Sequence, residues 1–342
     1  MDPQFGLPGG LKRGHLPKLN PLFAQRVVSE FLSASGWPVP YRLLVLTGVV
    51  VGLAGMFLLG EDTPPSQPSR GLNRPRLAAD FEAQTLVVPW SKLQAIQADL
   101  PGRMVAAVAE HCQTIVLIDR AAEAPQVAQS LQTAVQPGKS GHAPVLLALP
   151  LDAAWIRDYG PLPLLGSDGN PRLVDSQYFF DRRRADDDAA ASLAQRLQLP
   201  LEQIPGSLCG GNLLTNGQGL ALSTYTLVGE NLRHGLNEDQ LRQMLAEKLG
   251  IEPWVLLEPL KGEITGHVDV FATFTSPETV VVGRYATEVD ETNAAILDRN
   301  AERLAHVRVK GKPLRVERID MPPHTRDVWP TYTNVIYAPG VV

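Results

Sequence analysis

Short apolar runs and helical periodicities alternate along most of this chain. Thr85–Trp90 (TLVVPW), Thr114–Asp119 (TIVLID) and Val145–Pro150 (VLLALP) read as strands, the second of them buried. Between them a helical stretch, interrupted at Pro101-Gly102, resumes through Val105, Val108 and Ala109, and Pro125 opens a helix to about Val135. Strands alternating with helices predict an α/β fold.

From Trp155 the pattern repeats. A hairpin (Tyr159–Leu165, turn at Gly166–Asn170, Arg172–Tyr178) leads to a helix over Asp187–Leu197 and a short strand at Leu201–Ile204. A second hairpin (Asn212–Leu214, turn at Asn216-Gly217, Leu220–Thr224) leads to a helix with strong end signals. Asn237 and Gln240 form a capping box, Leu236 and Leu241 a staple and Gly250 a stop, and Trp254–Leu257 closes the unit. A third unit runs through Val268–Phe274, Val280–Gly283, a helix at about Glu291–Leu304 and a strand at Leu314–Ile319, and Tyr332–Ala338 begins a fourth hairpin. Units of β-β-α-β type spaced by about 55 residues predict radial repetition about an axis.

The first part of the chain is organised differently. Residues 1–42 are punctuated by Pro and Gly, with Lys12, Arg13, Lys18, Arg26 and Arg42 against Asp2 and Glu30, and Leu43–Gly60 (LLVLTGVVVGLAGMFLLG) follows without a charge. A charge-free run of about 18 residues, with basic residues before it and Glu61 and Asp62 after it, predicts one membrane anchor with a cytoplasmic amino end. A cleaved signal peptide fits less well, because the preceding region is long and no A-x-A pattern stands near Gly60. A buried core helix fits less well too, because Val and Gly are poor helix formers. Residues 61–76 are polar and Pro-rich and read as a linker, so the globular body is expected over 77–342, outside the cytoplasm in the periplasm or cell envelope.

Composition narrows the function. A formal charge of -5 without a basic stripe speaks against nucleic-acid binding. Two cysteines, Cys112 and Cys209, make neither a disulfide framework nor a zinc cluster, and no cofactor is expected.

Candidate chemistry centres on Gly262–Phe274. From Val268 the residues alternate with period two, which predicts a strand opening after Gly266 and puts His267 and Asp269 on one face. Each unit opens with a polar cluster: Trp155-Ile-Arg157-Asp158, Gly210-Gly211-Asn212, Gly266-His267-Val-Asp269 and Tyr332-Thr-Asn334. Radial repetition brings such positions to one central region. Two carboxyl groups and an imidazole there suit a guanidinium, whose donors form a rigid fork that carboxylates receive in pairs. His267 would serve as general acid and base. A divalent metal held by His267, Asp269 and Asp158 is a weaker reading, for lack of a second nearby histidine and because Arg157 and Arg182 are present.

In this order W-x-R-D-Y-G-P at Trp155–Pro161, G-G-N at Gly210–Asn212, G-H-V-D-x-F at Gly266–Phe271 and Y-x-N at Tyr332–Asn334 resemble the agmatine deiminase and Porphyromonas-type peptidylarginine deiminase family, of the pentein superfamily. The resemblance covers roughly Thr85 to the end and implies a five-module ββαβ α/β propeller, with the last module incomplete here. It implies that Asp158 and Asp269 hold the guanidinium, that His267 is the acid and base, and that Trp155, Gly211, Asn212 and Asn334 line or support the site. The implied reaction hydrolyses a guanidinium to a ureido group and ammonia through a Cys-linked intermediate.

An arginine pair and the expected location outside the cytoplasm, which fits a peptide substrate, bear on which branch is meant; the nucleophile is a separate departure from the family pattern. Arg182 and Arg184, within Tyr178–Asp188, fall on the positions where the peptidyl branch uses two arginines for the carboxylate of a C-terminal arginine. The family nucleophile is a cysteine expected beyond Val342. Cys209 stands before Gly210 where the family often has an acidic residue, and Cys112 reads as a small core residue. Conversion of peptidyl arginine to citrulline is therefore the expected activity. Agmatine deimination, which would serve polyamine synthesis, and non-catalytic guanidinium binding are the alternatives.

Overall fold

The computed structural model describes residues 74–134, 142–180, 182–325 and 328–342, all within a unit spanning Gly55–Val342. The expected anchor at 43–60 and the basic segment at 1–42 lie outside the described residues. Among the described residues, no helix is long and apolar enough to cross a membrane.

The folded body includes residues just before Leu77. Strand β1 (Arg76–Leu77) pairs antiparallel with Leu164 and Leu165, and Arg76 donates to Glu82 and to the Gly217 carbonyl at 2.7 Å. Arg76 thus belongs to the body and not to the linker.

The next segment builds a parallel sheet from β2 (Thr85–Pro89), helices α1 (Trp90–Ile96) and α2 (Leu100–Val108), β3 (Gln113–Ile118), α3 (Ala124–Ala134) and β4 (Val145–Ala148). The central strand β3 is buried from Thr114 to Ile118, as its unbroken apolar run requires.

Three modules then share one plan: an antiparallel hairpin, a helical crossover and a strand that returns parallel to the hairpin's second strand. The first uses the helical turn α4 (Ile156–Tyr159), β5 (Leu162–Leu165), β6 (Pro171–Asp175), α5 (Arg184–Asp187), α6 (Ala189–Leu197) and β7 (Leu201–Gln203). The second uses β8 (Leu214–Thr215), β9 (Ala221–Thr224), α7 (Tyr225–Leu232), α8 (Glu238–Leu249) and β10 (Trp254–Leu257). The third uses β11 (Ala272–Ser276), β12 (Thr279–Arg284), α9 (Thr287–Ala305), the small hairpin β13 (Arg308–Val309) and β14 (Lys312–Pro313), and β15 (Arg315–Asp320).

The crossovers hold because their apolar stripes match the sheets beneath. In α8, Leu241, Leu245 and Leu249 lie four residues apart, are fully buried and pack with Ala221, Trp254 and Leu256. Each such leucine stabilises the module by roughly 1.5–3 kcal/mol. The ends follow the sequence signals: Asn237 and Gln240 exchange side-chain to backbone bonds at 3.0 Å, and Gly250 stops the helix at φ 66°. Leu297, Ala301 and Leu304 of α9 join Phe274, Val280 and Val282 in the same way.

Two expectations fail. The strand predicted from Val268 starts only at Ala272, because Val268–Phe271 form a tight turn in which the Ala272 amide bonds the Val268 carbonyl at 2.9 Å. Val268, Phe271 and Ala272 are all fully buried, the i, i+3, i+4 spacing of a helical turn, which the same residues satisfy as well as they satisfy alternation. The hairpin expected at Tyr332–Ala338 is not formed either. That stretch carries one isolated bridge, Ala338 to Val341, and among the described residues no fifth sheet of the module pattern occurs.

Candidate active site

The openings of the modules do converge, and Gly211 is where they meet. A methyl group on its α-carbon would stand 2.6 Å from Asp158 Oδ1, 2.6 Å from His267 Nδ1 and 3.0 Å from Asp269 Oδ2. Three functional groups from two other modules therefore crowd a point that only glycine leaves open. Next to it Gly210 faces the Arg157 carbonyl just as closely. The Gly211 carbonyl accepts the Asp269 amide at 3.1 Å, so the same residue also sets the height of that loop.

Buried asparagines hold the loops that carry these groups. Asn212 is fully buried, and its Oδ1 accepts the amides of Thr224 at 2.9 Å and Val268 at 3.2 Å. Thr224 Oγ1 in turn donates to the Gly266 carbonyl at 2.5 Å. Asn231 of α7 pairs with both backbone groups of Ser207, just before Cys209. Asn293 and Asn300 of α9 do the same for Lys261 and Glu258, on the approach to His267. Each such side chain mimics a neighbouring strand and satisfies a donor and an acceptor that burial would otherwise leave costly.

Charge is distributed unevenly among the converging groups. His267 Nδ1 lies 3.5 Å from Asp158 Oδ1. Burial pushes the imidazole toward its neutral form, and Asp158 opposes that. Asp269 is buried, and burial drives its pKa up to about 8 although Arg157 works against it. Arg157 Nε stands 3.8 Å from Asp269 Oδ2, while its Nη2 donates to Asp80 at 2.7 Å. Cys209 reaches the same place: its Sγ is 3.4 Å from His267 Nε2, and burial followed by Asp158 raises its thiol well above the usual range. The arrangement offers acceptors for a cationic group, and a neutral imidazole able to take or give a proton.

A family model for the Porphyromonas-type peptidyl-arginine deiminases matches residues 84–342. The chain belongs to that family. Among its relatives, a putative agmatine deiminase of Vibrio parahaemolyticus is 27% identical over 191 residues, 52% of this chain and 52% of the relative. One from Mycoplasma mycoides is 28% identical over 192 residues, 50% of each. The chain thus spans about half the length of these relatives in the matched region. Of solved structures, a putative arginine deiminase from Porphyromonas gingivalis superposes with TM-score 0.65 at 24% identity, over 78% of this chain and 84% of that one. The C. jejuni agmatine deiminase gives 0.62 at 19%, over 78% and 80%. This deiminase-family chain shares the mixed α/β fold of those structures.

Within this family member the expected residues separate into groups. Asp158, Gly211, His267 and Asp269 come together. Asn212 does not line the site, since its amide is spent inside the protein on Thr224 and Val268. Trp155 is one turn before Asp158 and exposed. Arg182 and Arg184 are exposed. Arg183 between them points inward, donating to Tyr178 Oη at 2.9 Å and covering the Phe180 ring at 4.9 Å. Asn334 is also exposed, and its neighbour Thr333 is buried instead, with Oγ1 donating to the Asp269 carbonyl at 3.0 Å. Sequence reasoning missed Arg157 with Asp80, Thr333 and the asparagine braces. Their signal was available only as polar residues on otherwise apolar helix faces, such as Asn293, Asn300 and Asn231. Cys112 packs with Val108 and Ala338 in a separate apolar cluster, as a small core residue would.

Proposed function

We propose that this chain carries the guanidinium site of a deiminase that acts on peptides ending in arginine. The observation that carries this reading is the meeting of Asp158, His267 and Asp269 over Gly211. A guanidinium seated there gives one edge to Asp158 and another to Asp269, and its charge draws the proton off Asp269. A cysteine thiol passes its proton to the neutral His267 and attacks the guanidinium carbon as the thiolate, and the imidazolium so formed delivers that proton to the amine that leaves as ammonia. Water, losing a proton to His267, then displaces the sulfur and leaves the ureido group with the thiolate restored. In this reading the thiolate is that of the nucleophilic cysteine the family resemblance implies. Cys209 stands where the family often has an acidic residue, and burial and Asp158 favour its thiol form.

Arg182 and Arg184 support the peptidyl substrate over agmatine. Both are exposed, and the inward-facing Arg183 leaves its two neighbours free to meet a carboxylate. Two arginines suit a C-terminal carboxylate, which agmatine lacks. We further propose that the run Leu43–Gly60 anchors the protein so that this domain lies outside the cytoplasm. Calorimetric titration tests the substrate class: a short peptide ending in arginine should bind at least about tenfold tighter than its C-terminal amide. Equal binding of the two, with agmatine preferred, would move the reading to agmatine deimination.

A further inference from the structure

The sequence offers His267, Asp269 and Asp158 as a weaker, metal-binding set. The structure rearranges that set. Asp269 turns to Arg157, and Cys209 takes the place beside the imidazole. Ligand atoms of Asp158, Cys209 and His267 all lie within 4.8 Å of one another. We propose that these three residues bind a thiophilic divalent cation, with zinc as the type, and that the cation excludes a guanidinium from the same place.

Geometry supports the set. In a tetrahedral zinc site with usual bond lengths, sulfur and nitrogen ligands stand about 3.6 Å apart and nitrogen and oxygen about 3.4 Å. Here Cys209 Sγ is 3.9 Å from His267 Nδ1, and that nitrogen is 3.5 Å from Asp158 Oδ1. The third edge, from Cys209 Sγ to an Asp158 carboxylate oxygen, lies within 4.8 Å, and side-chain movement of about 1 Å closes all three edges onto one ion. Three protein ligands of sulfur, nitrogen and oxygen type leave a fourth position for water.

Chemistry supports it as well. The carboxyl groups of Asp158 and Glu263 and the guanidinium of Arg157 lie near the imidazole. The thiol gives the preference among cations: a carboxylate at position 209 would favour hard ions, whereas sulfur selects zinc and its soft neighbours. On binding, the Cys209 sulfur loses its proton to solvent and forms the metal bond, with no change of oxidation state. The cation enters past Asp158, whose side chain keeps 21% of its surface exposed while that of His267 keeps 5%.

Cobalt serves as the probe, because a thiolate bound to it gives a charge-transfer absorption that nitrogen and oxygen ligands do not. The full 342-residue chain is titrated with cobalt, alone and with agmatine. One cobalt per chain with the thiolate band is expected. C209S should lose the band and weaken binding by more than the roughly 10–100-fold typical of an outer-shell partner. D158N should weaken binding with the band retained, and C112S should change neither. If C209S folds poorly, D158N carries the test, since that side chain is partly exposed. Absence of the band in the wild-type chain, or its survival in C209S, overturns the metal site. The exclusion of guanidinium rests on the proposed function and is read separately. Cobalt bound with its band in a protein that never binds agmatine supports the metal site and overturns the guanidinium reading. Agmatine bound without any thiolate–cobalt band does the reverse.

Discussion

Arg157 Nε faces Asp269 Oδ2 across 3.8 Å, so the chain presents its own guanidinium to the carboxyl group that the proposed substrate would use. The same arginine is anchored to Asp80 at 2.7 Å. Arg157 therefore ties the first part of the body to the module openings. Replacing it by glutamine leaves Asp80 and the buried Asp269 without their cation. We expect R157Q to unfold about 1–3 kcal/mol more easily than wild type, measured by urea denaturation, while an exposed control such as R284Q changes by less than about 0.5 kcal/mol.

Gly211 gives a sharper test of the convergence. A methyl group there meets Asp158 Oδ1 and His267 Nδ1 at 2.6 Å, and these groups must move apart. G211A should lower guanidinium affinity by at least about tenfold, a loss of about 1.4 kcal/mol by calorimetry. The melting temperature shift of the same variant reports the folding cost separately.

Much of the architecture could be read from the residues. The capping box at Asn237, the stop at Gly250 and the leucine stripe of α8 are local signals that the packing obeys, and the hairpin–crossover–strand repeat follows from them. The site was less accessible, for a physical reason. Alternation from Val268 and a turn burying Val268, Phe271 and Ala272 use the same residues, and only contacts with Asn212 and Gly211 decide between them. The asparagine braces act through backbone groups far along the chain, so nothing near Asn293 or Asn300 announces Lys261 or Glu258. In Tyr332-Thr-Asn334 the motif was visible but the inward residue was not, because burial falls on Thr333.

The brace at Asn293 makes a local prediction. Its side chain satisfies the amide and the carbonyl of Lys261, six residues before His267, and both become orphaned in N293A. The cost should be about 1–3 kcal/mol. Hydrogen exchange should quicken from Lys261 to His267 while amides of β9 stay protected.

Glu230 supplies a pH dependence. Its carboxyl on α7 is pushed from 4.5 up to about 7, first by burial and then by Asp158, with Arg233 opposing. The folded protein thus holds this proton more tightly than the unfolded chain. Stability falls as pH rises from about 4.5 to 7 and does not return above that window. Because the side chain is only partly buried, the loss is about 1–2 kcal/mol. E230Q should match wild type at pH 4.5 and melt higher at pH 8. Parallel melting curves across that range would refute this.

The central claim is that a guanidinium binds between Asp158 and Asp269 beside His267. Calorimetric titration of agmatine, which carries the guanidinium common to both substrate classes, into wild type and D269N tests it most directly. The substitution keeps the side chain's shape and removes the charge that Asp269 takes on when a guanidinium draws its proton off, so the account predicts affinity lower by about 10–100-fold, with a melting temperature equal to or above that of wild type. Agmatine binding to D269N as tightly as to the wild-type chain would contradict it.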